Sequence, residues 1–253
     1  MHQQVLDPIG VRVTGAPLDK CDPALAEDIR GLLAEHGVVV FDGQNIDTPT
    51  FLAFLQSFGE LMFTAGETPV PDFPDLNVIS NVGRTTAPRS TFHVDTTYVS
   101  HPPAYTALRA VRVPAVGGHT LFSNQYAAYD SLPSDLRNDL EGRLMTHVVT
   151  GVDPGAGAET CAEHPIFLTH PLSRRVALYL TAPARCRAIS GKSATETARI
   201  VHLLVAHSTA PGNVLTHTWS GGDVVMWDNR VVMHRADHSG VIGDRVMYRG
   251  MVR

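Results

Sequence analysis

The sequence predicts a mainly β fold with flanking helices. Three observations predict it. From residue 76 onward the chain runs in short segments rich in β-branched and aromatic residues: LNVIS, YTALRAVRV, HTLFSN, RVALYL, DVVMWD and RVMYRGMV. Pro and Gly punctuate these runs, the pattern of all-β barrels and sandwiches. Helical periodicity is confined to the chain before about residue 60 and to one later segment.

The elements follow in order. VRVTGAPL alternates as a short strand. DPALAEDIRGLLAEHG predicts a helix: Asp22 is placed to cap it, Pro23 fits the first turn, and Ala26, Ile29, Leu32 and Leu33 make an apolar face. Gly37 ends it, and VVVF (38–41) reads as a short buried strand. TPTFLAFLQSFGEL predicts a second helix capped by Thr48, with Phe51, Phe54, Leu55 and Phe58 on one side. A later helix is expected over 193–207, where Ser193 and Glu196 fit a capping box. Between them, TGVDPGAGAETCAE (150–163) is small, Gly-rich and aperiodic, and a loop of that length is usually functional or disordered.

The 253 residues, 43% apolar and 18% charged, are enough for one large domain or two small ones. A net charge of −5 offers no basic patch for nucleic acid. No apolar run approaches the ~20 residues that span a bilayer, and MHQQVLDPIG lacks a basic-then-apolar leader pattern. Cys21, Cys161 and Cys186 are odd in number and scattered, forming neither a CxxC pair nor a disulfide framework. These features predict a cytoplasmic protein with no nucleic-acid or membrane partner. Oligomeric state stays open, a homo-oligomer being one arrangement. Thirteen histidines make chance pairings frequent, so spacing must carry any argument about a metal.

His93 and Asp95 lie two apart in TFHVDTTY. In a strand, that spacing puts both side chains on one face, and imidazole with carboxylate suits a divalent first-row metal. A polar pair at a strand end has the same spacing. Near the C-terminus, SGGDVVMWDNRVVMHRADH leads through an apolar strand to His234, and Arg245 and Arg249 follow. Four apart in a β context, these arginines share a face. Two inward guanidinium groups are costly unless anions meet them; a solvated face fits the same alternation. VGGHTLFSN makes a tight turn into a strand opened by Thr120, whose hydroxyl suits a carboxylate.

In order and spacing, HxD, GGxT and WDNRxxxH followed by two arginines resemble the taurine dioxygenase (TauD/TfdA) family of Fe(II)/2-oxoglutarate oxygenases. The likeness covers nearly the whole chain and includes the block HPIFLTHPLSRRVALYL. It implies one domain over 1–253 with a helix–strand–helix lead-in over about 1–60, a double-stranded β-helix (jelly-roll) core and a candidate lid loop over about 147–163. It implies His93, Asp95 and His234 as the ligands of Fe(II) and the catalytic centre, with 2-oxoglutarate and O2 as co-substrates. Thr120 and Arg245 match the groups that hold the distal carboxylate of 2-oxoglutarate, and Trp227 matches a tryptophan close to the iron. Arg249, Arg89 and Tyr98 fall on the substrate side. The implied reaction hydroxylates a C–H bond of a small anionic substrate and releases succinate and CO2. Asp95 fits an oxygenase, because related halogenases lack this carboxylate. MFTAGET (62–68) lacks the His-rich character expected of a taurine-specific pocket, which argues against taurine. Two other functions stay open: a non-catalytic ligand-binding or sensor protein on the same barrel, and a zinc hydrolase, since two His and one Asp also suit zinc. The first predicts a broken ligand set; the second leaves Thr120 and Arg245 without a role. His164 and His170 are expected to be structural, and His119 to face away from Thr120.

Overall fold

A computed structural model describes residues 1–64, 66–84 and 90–253. The lead-in comprises β1 (His2–Val5), β2 (Val11–Thr14), α1 (Pro23–His36), β3 (Val38–Phe41) and α2 (Thr48–Gln56). Next come β4 (Leu61–Met62), β5 (Pro69–Val70), β6 (Phe73–Ser80), β7 (Tyr105–Arg112) and β8 (Thr120–Asn124). Then follow α3 (Gln125–Asp130), α4 (Ser134–Leu140), β9 (Leu144–Val148), β10 (Cys161–Pro165), β11 (Phe167–Thr169), β12 (Val176–Leu178) and β13 (Cys186–Ile189). The chain finishes with α5 (Ala194–Ser208), β14 (Val214–His217), β15 (Val224–Asp228), β16 (Val232–Ala236) and β17 (Val246–Val252).

Local chemistry sets the helices. Asp22 caps α1 by accepting from the Leu25 N–H, and Ala26, Ile29 and Leu33 are buried along one face. Leu32, expected on that face, sits at its half-buried margin. Gly37 stops the helix at φ +70°, where a Cβ would come within 2.7 Å of Ile9. α2 is capped by Asp47, which accepts from the Thr50 N–H; Thr48, expected as the cap, is instead the first helical residue. A carboxylate one position earlier is at least as good a cap and reaches the same orphan donors. The helix also stops at Gln56, short of Leu61, because Gly59 (φ +148°) turns the chain into β4. The capping box at Ser193 and Glu196 is present on α5.

Two sheets make the jelly-roll core. The larger has nine strands among the described residues, in the order β1-β2-β3-β15-β7-β17-β6-β5, with β4 also pairing with β17. The lead-in strands thus extend the main sheet. The smaller sheet runs β14-β8-β16, and a single antiparallel bridge adds His93 beside His234. Between the sheets pack Val38, Val40, Leu108, Phe122, Trp227 and Met247, all buried. α1 and α2 cover the outer face of the large sheet. There Phe41, Phe54, Phe58 and Tyr105 form a ladder of edge-to-face contacts with centroids 6.0, 5.1 and 6.1 Å apart, each adding about 0.5–1.5 kcal/mol beyond simple burial.

The stretch 150–163 is not loop throughout. Cys161 pairs with Val148 and Glu163 with Thr146, so the connection between β9 and β10 is confined to 149–160. Cys-Ala-Glu has little β propensity of its own; pairing with β9 makes it a strand. Among the described residues no helix is long and apolar enough to cross a membrane.

Candidate active site

His234 lies on β16, opposite Phe122 of β8. Across the bridge, the His93 N–H donates to the His234 carbonyl at 3.0 Å and the His234 N–H returns a bond at 2.9 Å. This pairing fixes both imidazoles, their ring centroids 4.4 Å apart. Asp95 does not share a strand face with His93 as the spacing suggested. It sits in the turn beyond the bridge, where Thr96 has φ +49°, and the turn swings the carboxylate back between the two rings. Asp95 Oδ1 is 3.6 Å from His93 Nε2, and Oδ2 is 3.6 Å from His234 Nε2. One ligand atom from each of the three residues lies within 4.8 Å of the other two.

The protonation states suit metal ligation. His93 Nδ1 lies 2.9 Å from the Thr91 carbonyl, which can only accept, so Nδ1 carries a proton and Nε2 is the nitrogen turned toward Asp95. Burial pushes His234 down to about 3, so its imidazole is neutral at physiological pH. Burial opposes the Asp95 charge, but the neighbouring His234 and His93 rings and the Arg249 guanidinium outweigh it and hold the carboxyl well below its usual range. Two imidazoles and one carboxylate on one side of a cavity fit a 2-His-1-carboxylate iron site with open positions.

A relay of buried polar groups orients the carboxylate. Trp227 Nε1 donates to Asn229 Oδ1 at 3.1 Å, Asn229 Nδ2 donates to Thr106 Oγ1 at 2.8 Å, and Thr106 donates to Asp95 Oδ2 at 2.9 Å. Trp227 also packs on the His234 ring, centroids 4.5 Å apart. Sequence reasoning missed Asn229 and Thr106; the WDNR motif could have pointed to the first, and nothing marks the second. The same motif has a structural half. Asp228, fully buried, accepts from His170 Nε2 at 3.0 Å and from both Arg230 Nε and Nη2. His170 Nδ1 accepts two backbone N–H groups, from Leu172 and Ser173, so both its nitrogens are used in holding the chain. His164 is likewise bonded, to the Thr97 carbonyl at 2.8 Å.

Asp228→Asn tests that clamp. Burial opposes the Asp228 charge, but His170 and Arg230 outweigh it, so the folded carboxyl titrates below its ordinary value. Its contribution is fully present above the unfolded pKa of about 3.9 and is lost as pH falls through the depressed folded value. Urea unfolding of Asp228→Asn should therefore show a deficit of about 3 kcal/mol at pH 7, and the deficit should shrink at pH 3.

A cavity of about 270 Å³ opens over the two imidazoles, and Thr120, Trp227, Arg245, Arg249 and Glu67 line it. Arg249 on β17 and Arg245 immediately before it therefore both face inward, and a solvated face is excluded. Arg245 is 1% exposed. Its Nε donates to the Gly118 carbonyl at 2.8 Å and its Nη2 to Thr120 Oγ1 at 3.2 Å. Gly118 is required here: at φ +73°, a Cβ would stand 2.7 Å from Pro114 and 3.1 Å from Arg245 Cδ. Trp219, which carries no sequence signal, donates to the same Thr120 oxygen at 3.0 Å. With two donors already on that oxygen, the Thr120 hydroxyl proton is free to point to a ligand. Arg245 Nη1 is buried with no partner, and burial pushes the guanidinium down to about 10, so it remains charged at neutral pH. A buried cation with an orphaned donor beside a free hydroxyl fits a carboxylate ligand, which a guanidinium fork can bind through two parallel bonds.

Arg249 lies nearer the metal ligands. Nη1 donates to Asp95 Oδ1 at 3.4 Å, and Nη2 meets Glu67 Oε2 at 2.5 Å. Tyr98 is buried and is not among the residues that line the cavity. Burial raises its phenol. Arg89 lies outside the described residues. His119 faces away from Thr120, against Thr218 at 3.2 Å.

The family model described as "Taurine catabolism dioxygenase TauD, TfdA family" matches residues 3–251. The chain belongs to the TauD/TfdA family. An alpha-ketoglutarate-dependent 2,4-dichlorophenoxyacetate dioxygenase of Burkholderia sp. (strain RASC) is 29% identical, over 90% of this chain and 85% of that protein. An alpha-ketoglutarate-dependent sulfate ester dioxygenase of Pseudomonas putida is also 29% identical, over 90% of this chain and 81% of its own length. The crystal structure of AAD-2 in complex with Mn(II) and N-oxalylglycine superimposes with a TM-score of 0.87 at 26% identity, covering 100% of this chain and 97% of that one. This TauD/TfdA member is a 2-oxoglutarate-dependent non-haem iron dioxygenase, and the jelly-roll expectation holds.

Proposed function

We propose that the enzyme hydroxylates a C–H bond of a small anionic organic molecule, with His93, Asp95 and His234 holding Fe(II) and with Thr120 and Arg245 holding the distal carboxylate of 2-oxoglutarate. The observation that carries this reading is Arg245. A charged guanidinium with a buried orphan donor, opening on the cavity that His93 and His234 line, calls for an anion at that end. Bound iron and 2-oxoglutarate supply the O2-dependent oxidation, in which 2-oxoglutarate, O2 and R–H become succinate, CO2 and R–OH. The chain's own residues position these groups. Trp227 walls the site, and the Asn229–Thr106 relay keeps the Asp95 carboxylate turned toward both imidazoles.

On the substrate side we assign Arg249 as the group that meets the substrate anion, with Arg89 and Tyr98 as further candidates. The named substrates of the two relatives, 2,4-dichlorophenoxyacetate and a sulfate ester, are themselves anions. The 149–160 connection is a candidate lid: Gly66, beside the cavity residue Glu67, lies against Val152 and Asp153 of that segment. Three unpaired cysteines fit a cytoplasmic setting.

Anaerobic addition of 2-oxoglutarate to the Fe(II)-loaded protein tests the reading. A weak visible charge-transfer band and succinate release on admitting O2 are expected. Absence of 2-oxoglutarate binding to the iron-loaded protein would overturn it.

A further inference from the structure

Arg249 carries one positive charge and faces two carboxylates. Nη1 bonds Asp95 Oδ1 at 3.4 Å and Nη2 meets Glu67 Oε2 at 2.5 Å, while Thr64 Oγ1 at 3.5 Å and Asn77 Oδ1 at 3.4 Å complete the acceptors around Nη2. Only Nε is without a partner, while both Nη groups already carry a carboxylate. A third anion therefore gains a bidentate seat on this guanidinium only where it takes an Nη from a carboxylate.

One of the two carboxylates must yield, and the structure distinguishes them. The Asp95 side chain is 4% exposed, is held by Thr106, and belongs to the metal-ligand set. The Glu67 side chain is 27% exposed. It lies on the connection between β4 and β5, in the cavity wall, and its backbone is tied by one turn bond, from its N–H to the Thr64 carbonyl at 3.3 Å. A side chain rotation carries Glu67 into solvent without moving a strand; Asp95 has no such exit.

We propose that Glu67 is a specificity-determining residue that occupies the anion seat on Arg249, so that a substrate's carboxylate, sulfonate or sulfate enters only by displacing it. The proposal rests on Arg249 being the substrate anion's partner. It makes Glu67 an internal competitor that discriminates against weakly held anions, since only a substrate with further contacts in the cavity outbids a tethered carboxylate.

The test uses full-length protein loaded with Mn(II) and N-oxalylglycine, which allow binding without turnover. Calorimetric titration with phenoxyacetate and with neutral phenoxyethanol compares wild type, Glu67→Gln, Glu67→Ala and Arg249→Gln; circular dichroism checks that each folds. Glu67→Gln keeps a hydrogen-bonding side chain and removes only the charge. Phenoxyacetate should bind about tenfold tighter to both Glu67 variants, phenoxyethanol should be little changed, and Arg249→Gln should lose phenoxyacetate. Phenoxyacetate bound equally by wild type and Arg249→Gln would refute the anion role of Arg249, and the proposal with it. Binding that depends on Arg249 but is not tightened in either Glu67 variant would refute the Glu67 role alone. No binding even to Glu67→Ala also refutes it, because a freed Arg249 must accept a carboxylate.

Discussion

Arg245→Met should make the apo protein more stable while sharply weakening its response to co-substrate. Arg245 is a charge taken out of water with one N–H group left unpaired, and the desolvation cost of such a group is several kcal/mol. Met fills similar space without that cost. The substitution orphans the Gly118 carbonyl, which offsets about 1–3 kcal/mol of the gain. A net rise in Tm of about 2–4 °C is expected for the apo variant. Binding moves the other way: removing one partner of a buried charge pair costs about 2–5 kcal/mol, which weakens 2-oxoglutarate or N-oxalylglycine about 30-fold or more. Differential scanning of both proteins with and without N-oxalylglycine reads both effects. A variant that keeps the wild-type upshift in Tm on adding N-oxalylglycine would show that the distal carboxylate is held elsewhere.

Asp95→Ala should remove metal binding almost completely. Asp95 is the only anionic member of the ligand set, and both of its oxygens face an imidazole nitrogen at 3.6 Å. Changes to groups that merely support a metal ligand already cost about 10–100-fold in metal affinity; loss of the charged ligand itself should exceed that range. Mn(II) titration followed by the loss of the free-ion magnetic resonance signal measures it directly, and succinate release should fall with it. The fold should survive, because Arg249 keeps Glu67 as a partner when Asp95 is gone. Wild-type Mn(II) affinity in this variant would place the metal elsewhere in the cavity.

Much of this architecture was legible in the residues. Strands β6, β7, β8, β12, β15 and β17 were readable because β-branched runs sit between Gly and Pro breakers, and α5 because its capping box is local chemistry. β10, β13 and the short helices α3 and α4 were not. β10 is made a strand by pairing with β9, and Cys-Ala-Glu carries no trace of that neighbour. The site divides along the same line. The ligands and Arg245 stand in recognisable order, so residue type and spacing pointed to them. Thr106, Trp219 and Glu67 act because the fold brings them to partners distant in sequence, and an isolated Thr, Trp or Glu has no pattern of its own. His93 and Asp95 illustrate the limit: the right residues were named for the wrong reason, since a tight turn, not a shared strand face, brings them together.

The last strand in chain order is not at an edge of the large sheet. β17 lies between β7 and β6, and it carries Met247 and Arg249 and follows directly on Arg245. Among the described residues, β6 and β5 join that sheet only through it. Synthesis therefore delivers the three proposed metal ligands before the two arginines proposed to meet the organic acids. A growing chain must hold its earlier strands unclosed until residues 246–252 arrive, so closure waits on contacts of long sequence separation, the slow kind to form. If Arg245 holds the co-substrate as proposed, binding is for this reason a readout of sheet closure: a chain that has not yet threaded β17 has not placed the guanidinium that precedes it.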